Sequence, residues 1–333
     1  MDAWLEAAGA GPFVAVTVAA AEGSVPREPG AAMLVGEAWL SGTIGGGHLE
    51  LKATEIARDM LRQGRERHIE RFALGPGLGQ CCGGVVHLAF EAVAQEQALA
   101  LAARTGKDTW RLVAFDGAPD WTLCGPDYQP LDGRAEAPVF ATGRGTHLMQ
   151  DRDGRRWLVH RLQAPRAHLV LFGAGHVGAA LVRALAPLPC TVTWVDERDD
   201  LFPAAVPANV RIEATDTPEC IVAQAPGGSC YLVMTHSHAL DQRLAEAILS
   251  RPGVGWFGLI GSKTKRVQFE RRLLARGVER ARIDALACPI GMPGITGKEP
   301  AVIAASVCAQ LLAVWESQST GTAPAFIDLS AAA

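Results

Sequence analysis

The sequence predicts an α/β protein: a C-terminal Rossmann-like, doubly wound parallel sheet preceded by a mixed α+β domain. Three observations carry that prediction. A short apolar run, Leu169–Phe172, meets glycines in GxGxxG spacing at Gly173, Gly175 and Gly178. A helical segment, Ala179–Leu185, and a second apolar run ending on an acid, Asp196, follow at the spacing of a dinucleotide-type fingerprint. From there to Trp315 apolar runs alternate with helical segments, the pattern of a parallel sheet. The first half instead mixes β-rich and helical runs and shows no internal repeat.

A chain of 333 residues is long enough for about two domains, each with its own core. The expected division is 1–163 for the α+β domain, 168–318 for the Rossmann-like domain and 319–333 for a tail, with Ala164–Ala167 as the boundary. Hydrophobic residues make up 49% and charged residues 20%, a globular composition. A net charge of −4 gives no electrostatic case for nucleic-acid binding. Asp2 and Glu6 stand where a signal peptide would carry basic residues, and no uninterrupted apolar run reaches the ~18 residues of a membrane span. The expectation is a cytoplasmic protein with no membrane partner. Of the eight cysteines, Cys124, Cys190, Cys220, Cys230, Cys288 and Cys308 read as reduced small hydrophobes, and no CxxC or Cys/His zinc spacing occurs.

In chain order, Asp2–Ala8 reads as a short helix, and Phe13–Ala20, Ala31–Val35 and Ala38–Ile44 as strands, the first two separated by the proline-interrupted loop Gly23–Gly30. Leu51, Ile56, Met60 and Leu61 approximate helical spacing up to Gly64. Ile69–Leu74 and Val85–Phe90 are strands around the glycine-rich loop Gly75–Gly84, and Gln95–Arg104 is an alanine-rich helix. Trp110–Phe115, Trp121–Cys124, Val139–Thr142 and Arg156–Leu162 are strands, the last entered through an Asp151–Gly154 hairpin turn. In the second half, strands at Val210–Ala214, Tyr231–Met234 and Trp256–Ile260 precede helices ending near Ser250 and Arg276, and a long helix spans Ala301–Trp315.

Ligands of a doubly wound sheet sit outside the carboxyl ends of its strands. Three loops meet that condition: GAGHVG, THSHALD and GSKTKR. The glycines suit the tight turn, the close approach of a phosphate and the packing of helix on strand, and the helix start favours an anion. His176, His236 and His238, with Ser262, Lys263, Lys265 and Arg266, would face one crevice suited to a polyanion. Asp196 fits a ribose hydroxyl. His176, His236, His238 and Asp241 are too loosely spaced to specify a metal, so no dedicated protein metal ligands are expected. In the first half, Arg27, His48 and Glu50 stand beside glycine-rich turns that suit an anion or a polar ring, or turn chemistry alone. Cys81 and Cys82, adjacent and flanked by glycine, suit a low-pKa thiolate that contacts sulfur or a soft metal, or else a plain tight turn.

Together these motifs resemble the XdhC/CoxI family, the xanthine dehydrogenase accessory proteins. The resemblance rests on GSVPREPGAAMLV, SGTIGGGHLE and LGPGLGQCCGG in the first half, and on LFGAGHVG, VMTHSHALD, FGLIGSKTKR and CPIGMPGITGKEPAVIAASVCAQLL in the second. It implies a protein that binds the molybdenum cofactor (molybdopterin, plain or as its dinucleotide), supports its sulfuration, and inserts it into an apo molybdenum hydroxylase of the xanthine dehydrogenase type, in purine catabolism. A cysteine desulfurase would be a partner, and the chain would form a homo-oligomer, a dimer being favoured. Such a protein is a cofactor chaperone rather than a catalyst. The alternative from the fold alone is an NAD(P)- or flavin-dependent oxidoreductase that uses the GAGHVG turn.

Overall fold

The computed structural model describes residues 3–75, 83–141 and 143–320, and the chain divides into two compact units, residues 2–164 and 165–333. The N-terminal unit holds two five-stranded antiparallel sheets. The first contains β1 (Phe13–Glu22), β2 (Ala32–Gly36), β3 (Leu40–Gly42), β4 (Arg67–Ala73) and β5 (Val85–Ala92) in the order β3-β2-β1-β5-β4. The second contains β6 (Thr109–Ala114), β7 (Trp121–Cys124), β8 (Pro130–Gly133), β9 (His147–Gln150) and β10 (Arg156–Leu162) in the order β8-β7-β6-β10-β9. Helices α1 (Ala3–Gly9), α2 (Gly47–Gln63) and α3 (Gln95–Ala102) complete the unit.

The period-2 alternation of β1 decides how these layers stack. Val14, Val16 and Val18 form one core with Met33, Phe90 and the buried α2 residues Leu49, Ala53, Ala57 and Met60. On the other face Ala19, with Ala89 of β5, joins Val113, Trp121, Leu123 and Leu158 of the second sheet. Small residues on one sheet and large ones on the other let the two faces interdigitate. Helix α2 ends on Gly64 in the left-handed conformation (φ 62°), whose N–H reaches the last carbonyls, as at many helix ends.

The C-terminal unit is a five-stranded parallel sheet of β11 (Ala167–Phe172), β12 (Cys190–Asp196), β13 (Val210–Ala214), β14 (Cys230–Val233) and β15 (Trp256–Leu259), ordered β13-β12-β11-β14-β15. Strand order reverses between β11 and β14, which places a topological switch point there. Helices α4 (His176–Leu185) and α9 (Pro300–Thr320) bury Leu181, Leu185, Val307 and Leu311 against one face. On the other face α5 (Glu219–Gln224), α6 (His238–Ser250), α7 (Lys263–Ala275) and α8 (Arg280–Asp284) contribute Val222, Leu244, Phe269 and Ile283. Helix α9 is apolar and long enough to cross a membrane by length and composition, with mean hydropathy 1.4 over Pro300–Gln318. Its burial of Ala304, Val307, Leu311 and Val314 in the sheet core accounts for that composition.

Several expectations of secondary structure differ from the fold. Strands β8 and β9 and helices α5 and α8 carried too little apolar periodicity to be anticipated. Val139–Ala141 is not a strand: Val139 is 83% exposed and Phe140 turns its ring onto Trp110 and Tyr128. Thr142 lies outside the described residues.

Candidate functional site

The turn after β11 is shaped by what surrounds each glycine. Gly173 has φ +119°, and a Cβ there would stand 2.4 Å from the Met234 carbonyl oxygen of the loop after β14. A Cβ on Gly178 would stand 2.1 Å from the Gly173 carbonyl oxygen, which itself accepts the Trp194 indole N–H at 3.0 Å. Both positions therefore require glycine for packing. Gly175 differs: nothing lies within 4 Å of its would-be Cβ, so the space over the start of α4 is open. An exposed backbone, free N–H groups and the positive end of a ten-residue helix give that space the chemistry that suits an anion. His176, the first residue of α4, is exposed beside it.

Asp196, only 6% exposed, is occupied by protein. One carboxylate oxygen accepts the Arg198 backbone N–H at 3.0 Å and Nε at 2.9 Å; the other accepts the Ala174 N–H at 2.7 Å and Arg198 Nη2 at 3.0 Å. Burial alone would disfavour the charged form, but the hydrogen bonds from Arg198 and Ala174 outweigh it and hold the carboxyl below its ordinary 3.8. Asp196 thus braces the glycine turn from below rather than presenting a bare carboxylate to a ribose. The sign of its linkage is fixed: a depressed folded-state pKa contributes stability that is full above about pH 4 and is lost as pH falls through the folded value. Asp196→Asn is expected to cost about 1–2 kcal/mol at pH 7, and the cost should shrink below pH 4. Urea unfolding at pH 7 and pH 3 reads both; an equal cost at the two values contradicts the assignment.

The other two crevice loops are tied together by Asp241, 1% exposed, which accepts from Thr235 N at 3.1 Å, Thr235 Oγ1 at 2.7 Å and Lys265 Nζ at 2.8 Å. Lys265 also donates to the Ile260 carbonyl, and Arg266 is held by Glu270 and the Cys288 carbonyl. Ser262 caps α7 through Lys265 N, as Ser237 caps α6 through Leu240 N. Three of the residues expected to face a ligand, Ser262, Lys265 and Arg266, therefore already serve the loops' own architecture. His176, His236, His238 and Lys263 are exposed, with no side-chain hydrogen bond or ion pair among the described residues. A small cleft between Phe172, Asp196, Pro218, Thr235 and His236 marks the switch point. Among the described residues no group of three or more His, Cys, Asp or Glu is placed to hold a metal ion.

In the N-terminal unit three glycine-bearing motifs meet. Gly45, Gly46 and Gly47 have φ of +122°, +75° and +64°, and Glu50 closes the loop they form by accepting from Thr43 Oγ1, Ile44 N and Gly46 N. Glu50 is thereby a loop buckle. A Cβ on Gly45 would stand 2.7 Å from Pro26, so the Gly23–Gly30 loop packs on this turn, with Arg27 and His48 exposed beside it. Gly84 donates its N–H to the Ser24 carbonyl at 3.1 Å and accepts from Leu74 N at 2.8 Å, which brings both ends of the third loop to the same place. Cys81 and Cys82 lie outside the described residues. Sequence reasoning missed Arg198 and the buried trio Glu91, Arg111 and His160. The first had a readable signal, an arginine two positions after the strand-end acid; the trio, scattered over three strands, had none.

Comparison with known proteins gives consistent matches in both units. Residues 169–311 match the XdhC Rossmann domain and residues 7–73 match the XdhC and CoxI family. A solved structure described as a xanthine dehydrogenase from Bacillus halodurans shares the fold with TM-score 0.73 at 22% identity, over 96% of this chain and 97% of that one. The protein YqeB of Escherichia coli (strain K12), whose name assigns it no activity, is 29% identical over 150 residues. That match takes in 45% of this chain and spans 27% of the relative's length.

Proposed function

The chain belongs to the XdhC and CoxI family, and from that premise we propose that it is an accessory protein that binds the molybdenum cofactor, supports its sulfuration and delivers it to an apo molybdenum hydroxylase of the xanthine dehydrogenase type. The observation that carries the binding step is the open backbone over Gly175 at the start of α4, between two glycines that packing makes obligatory. It suits the phosphate arm of a pterin cargo: backbone N–H groups donate to the phosphate oxygens, and exposed Lys263 and His236 stand on neighbouring loops. When bound, the cofactor carries the molybdenum dithiolene centre that the target enzyme uses. The part assigned to the turn at Gly175 is to grip, orient and release that cargo, and Cys81 or Cys82 is the proposed thiol for sulfur or a soft metal. A cytoplasmic homodimer serving a cysteine desulfurase on one side and the apo-hydroxylase on the other completes the reading.

Arg198 favours one specific rival, an NADP-dependent oxidoreductase. A guanidinium beside the strand-end acid is where a 2′-phosphate is accommodated in dinucleotide sites, and Arg198 is 39% exposed on its side chain. One variant addresses both readings. Gly175→Asp puts a carboxylate into open space, so folding is expected to be unaffected while the anion site is blocked. Protein purified anaerobically from cells that make the cofactor, then oxidised, should yield fluorescent pterin. The variant should lose about tenfold or more of that yield. Equal pterin from both, or none from either together with tight NADPH binding, contradicts the proposal.

A further inference from the structure

We propose that the N-terminal unit carries a second anion site, built by Arg27, Arg161 and Gln163, that takes a phosphate-bearing small molecule independently of the turn at Gly175. A cavity of about 490 Å³ opens between the Gly23–Gly30 loop and the start and end of the β9–β10 hairpin, lined by Arg27, Glu28, Gly30, Thr146, Arg161 and Gln163. That volume is in the range of small-molecule sites. Neither arginine has an ion pair or side-chain hydrogen bond among the described residues. The Arg161 guanidinium lies over the Trp110 ring, 5.5 Å from its centroid, which holds the cation without neutralising it. Glu28, on the same wall, forms no ion pair with either one. Arg27 from the loop and Arg161 from the hairpin line one cavity without a neutralising partner, and a guanidinium is complementary to an oxyanion, which it can grip through two N–H donors. Thr146 Oγ1 accepts the Arg161 backbone N–H at 3.1 Å, so its own hydroxyl proton is left to donate.

The floor of this cavity is anchored by a buried charged arrangement. Gly30 has φ +102°, and its would-be Cβ stands 2.9 Å from Thr146 Oγ1, so the two walls touch there. Its carbonyl accepts from His160 Nε2 at 3.2 Å, and His160 Nδ1 accepts from Arg111 Nη1 at 3.3 Å. Arg111 is in turn paired with Glu91, and all three side chains are buried. Burying an arginine–glutamate pair between two sheets gains little stability over apolar residues of the same size. What it gains is placement: one ion pair and two hydrogen bonds run from β5 through β6 and β10 to the loop that carries Arg27.

Pyrophosphate titrated into the whole chain by calorimetry at low salt tests the inference separately from the proposed function. The wild type should bind two equivalents. Gly175→Asp should bind one, Arg27→Gln/Arg161→Gln one, and the combined variant none. Arg27→Lys/Arg161→Lys, which keeps both charges and the cation over Trp110, should retain the second equivalent at about tenfold lower affinity. If Arg27→Gln/Arg161→Gln matches the wild type in number and affinity, or if Gly175→Asp abolishes all binding, the second site is overturned and the first stands. A single equivalent lost only in the double arginine variant upholds this site and removes the grip at Gly175.

Discussion

Arg111→Met is expected to lower the unfolding free energy by about 3–5 kcal/mol, because it strands the Glu91 carboxylate in the layer between the two N-terminal sheets. Arg111 is 0% and Glu91 1% exposed, and the nearest remaining cation, Arg67, stands 4.0 Å from the carboxylate. Burial, then the charge of Arg67, pulls the Arg111 guanidinium down to about 9, still protonated at neutral pH. Adding Glu91→Leu to Arg111→Met should recover part of the loss, since the stranded carboxylate is gone while Arg67, which loses its acid, keeps its bond to the Ala114 carbonyl. Urea unfolding of the single and double variants measures both. A single-variant cost within about 1 kcal/mol, the scale of an exposed pair, would show that the pair is not buried as described.

Acid should weaken the protein through His160. Burial, then the neighbouring Arg111 charge, pushes its ring down to about 3 against an ordinary 6.5, despite the opposing hydrogen bond to Gly30. Between those values the unfolded chain takes up a proton that the folded chain refuses. Stability is therefore full above pH 6.5 and falls as pH drops towards 3, by up to about 1.4 kcal/mol per pH unit. His168, lowered by burial, acts in the same direction, so the informative quantity is the difference between wild type and His160→Gln. The variant should be less stable at pH 7.5 and flatter from pH 6.5 to 4.5, a window above most carboxyl titration. Parallel profiles for the two proteins would contradict a neutral, buried His160.

The doubly wound half was legible because its code is local. A strand, a glycine turn and a helix follow one another in sequence, and Val210–Ala214 stands where its apolar run places it, as does Trp121–Cys124 in the N-terminal unit. Elements failed to show where the apolar signal is absent: β8 is exposed along its whole length, and α5 and α8 are shorter than two turns. Val139 misled because a β-branched residue next to an aromatic reads as a strand, while here the aromatic ring alone is anchored. In the candidate site, Glu50, Asp196, Lys265 and Arg266 are charged residues in the loops expected to meet a ligand, yet each is spent on a partner inside its own unit. Which charge in a loop meets a ligand and which meets a neighbour depends on residues far along the chain, such as Asp241 with Lys265. Residue types alone do not encode that choice. Arg161 reads as an ordinary strand-end cation until the fold brings it to the cavity that Arg27 lines.

The proposal that this chain grips a pterin cargo at Gly173–Gly178 is tested most directly by native mass spectrometry of the protein purified anaerobically from cells that make the molybdenum cofactor. The expected bound mass equals molybdopterin or its dinucleotide, present in the wild type and depleted in Gly175→Asp, alongside a subunit count that reports the oligomer. A chain that arrives bare, or one that carries the mass of NADP, would contradict it.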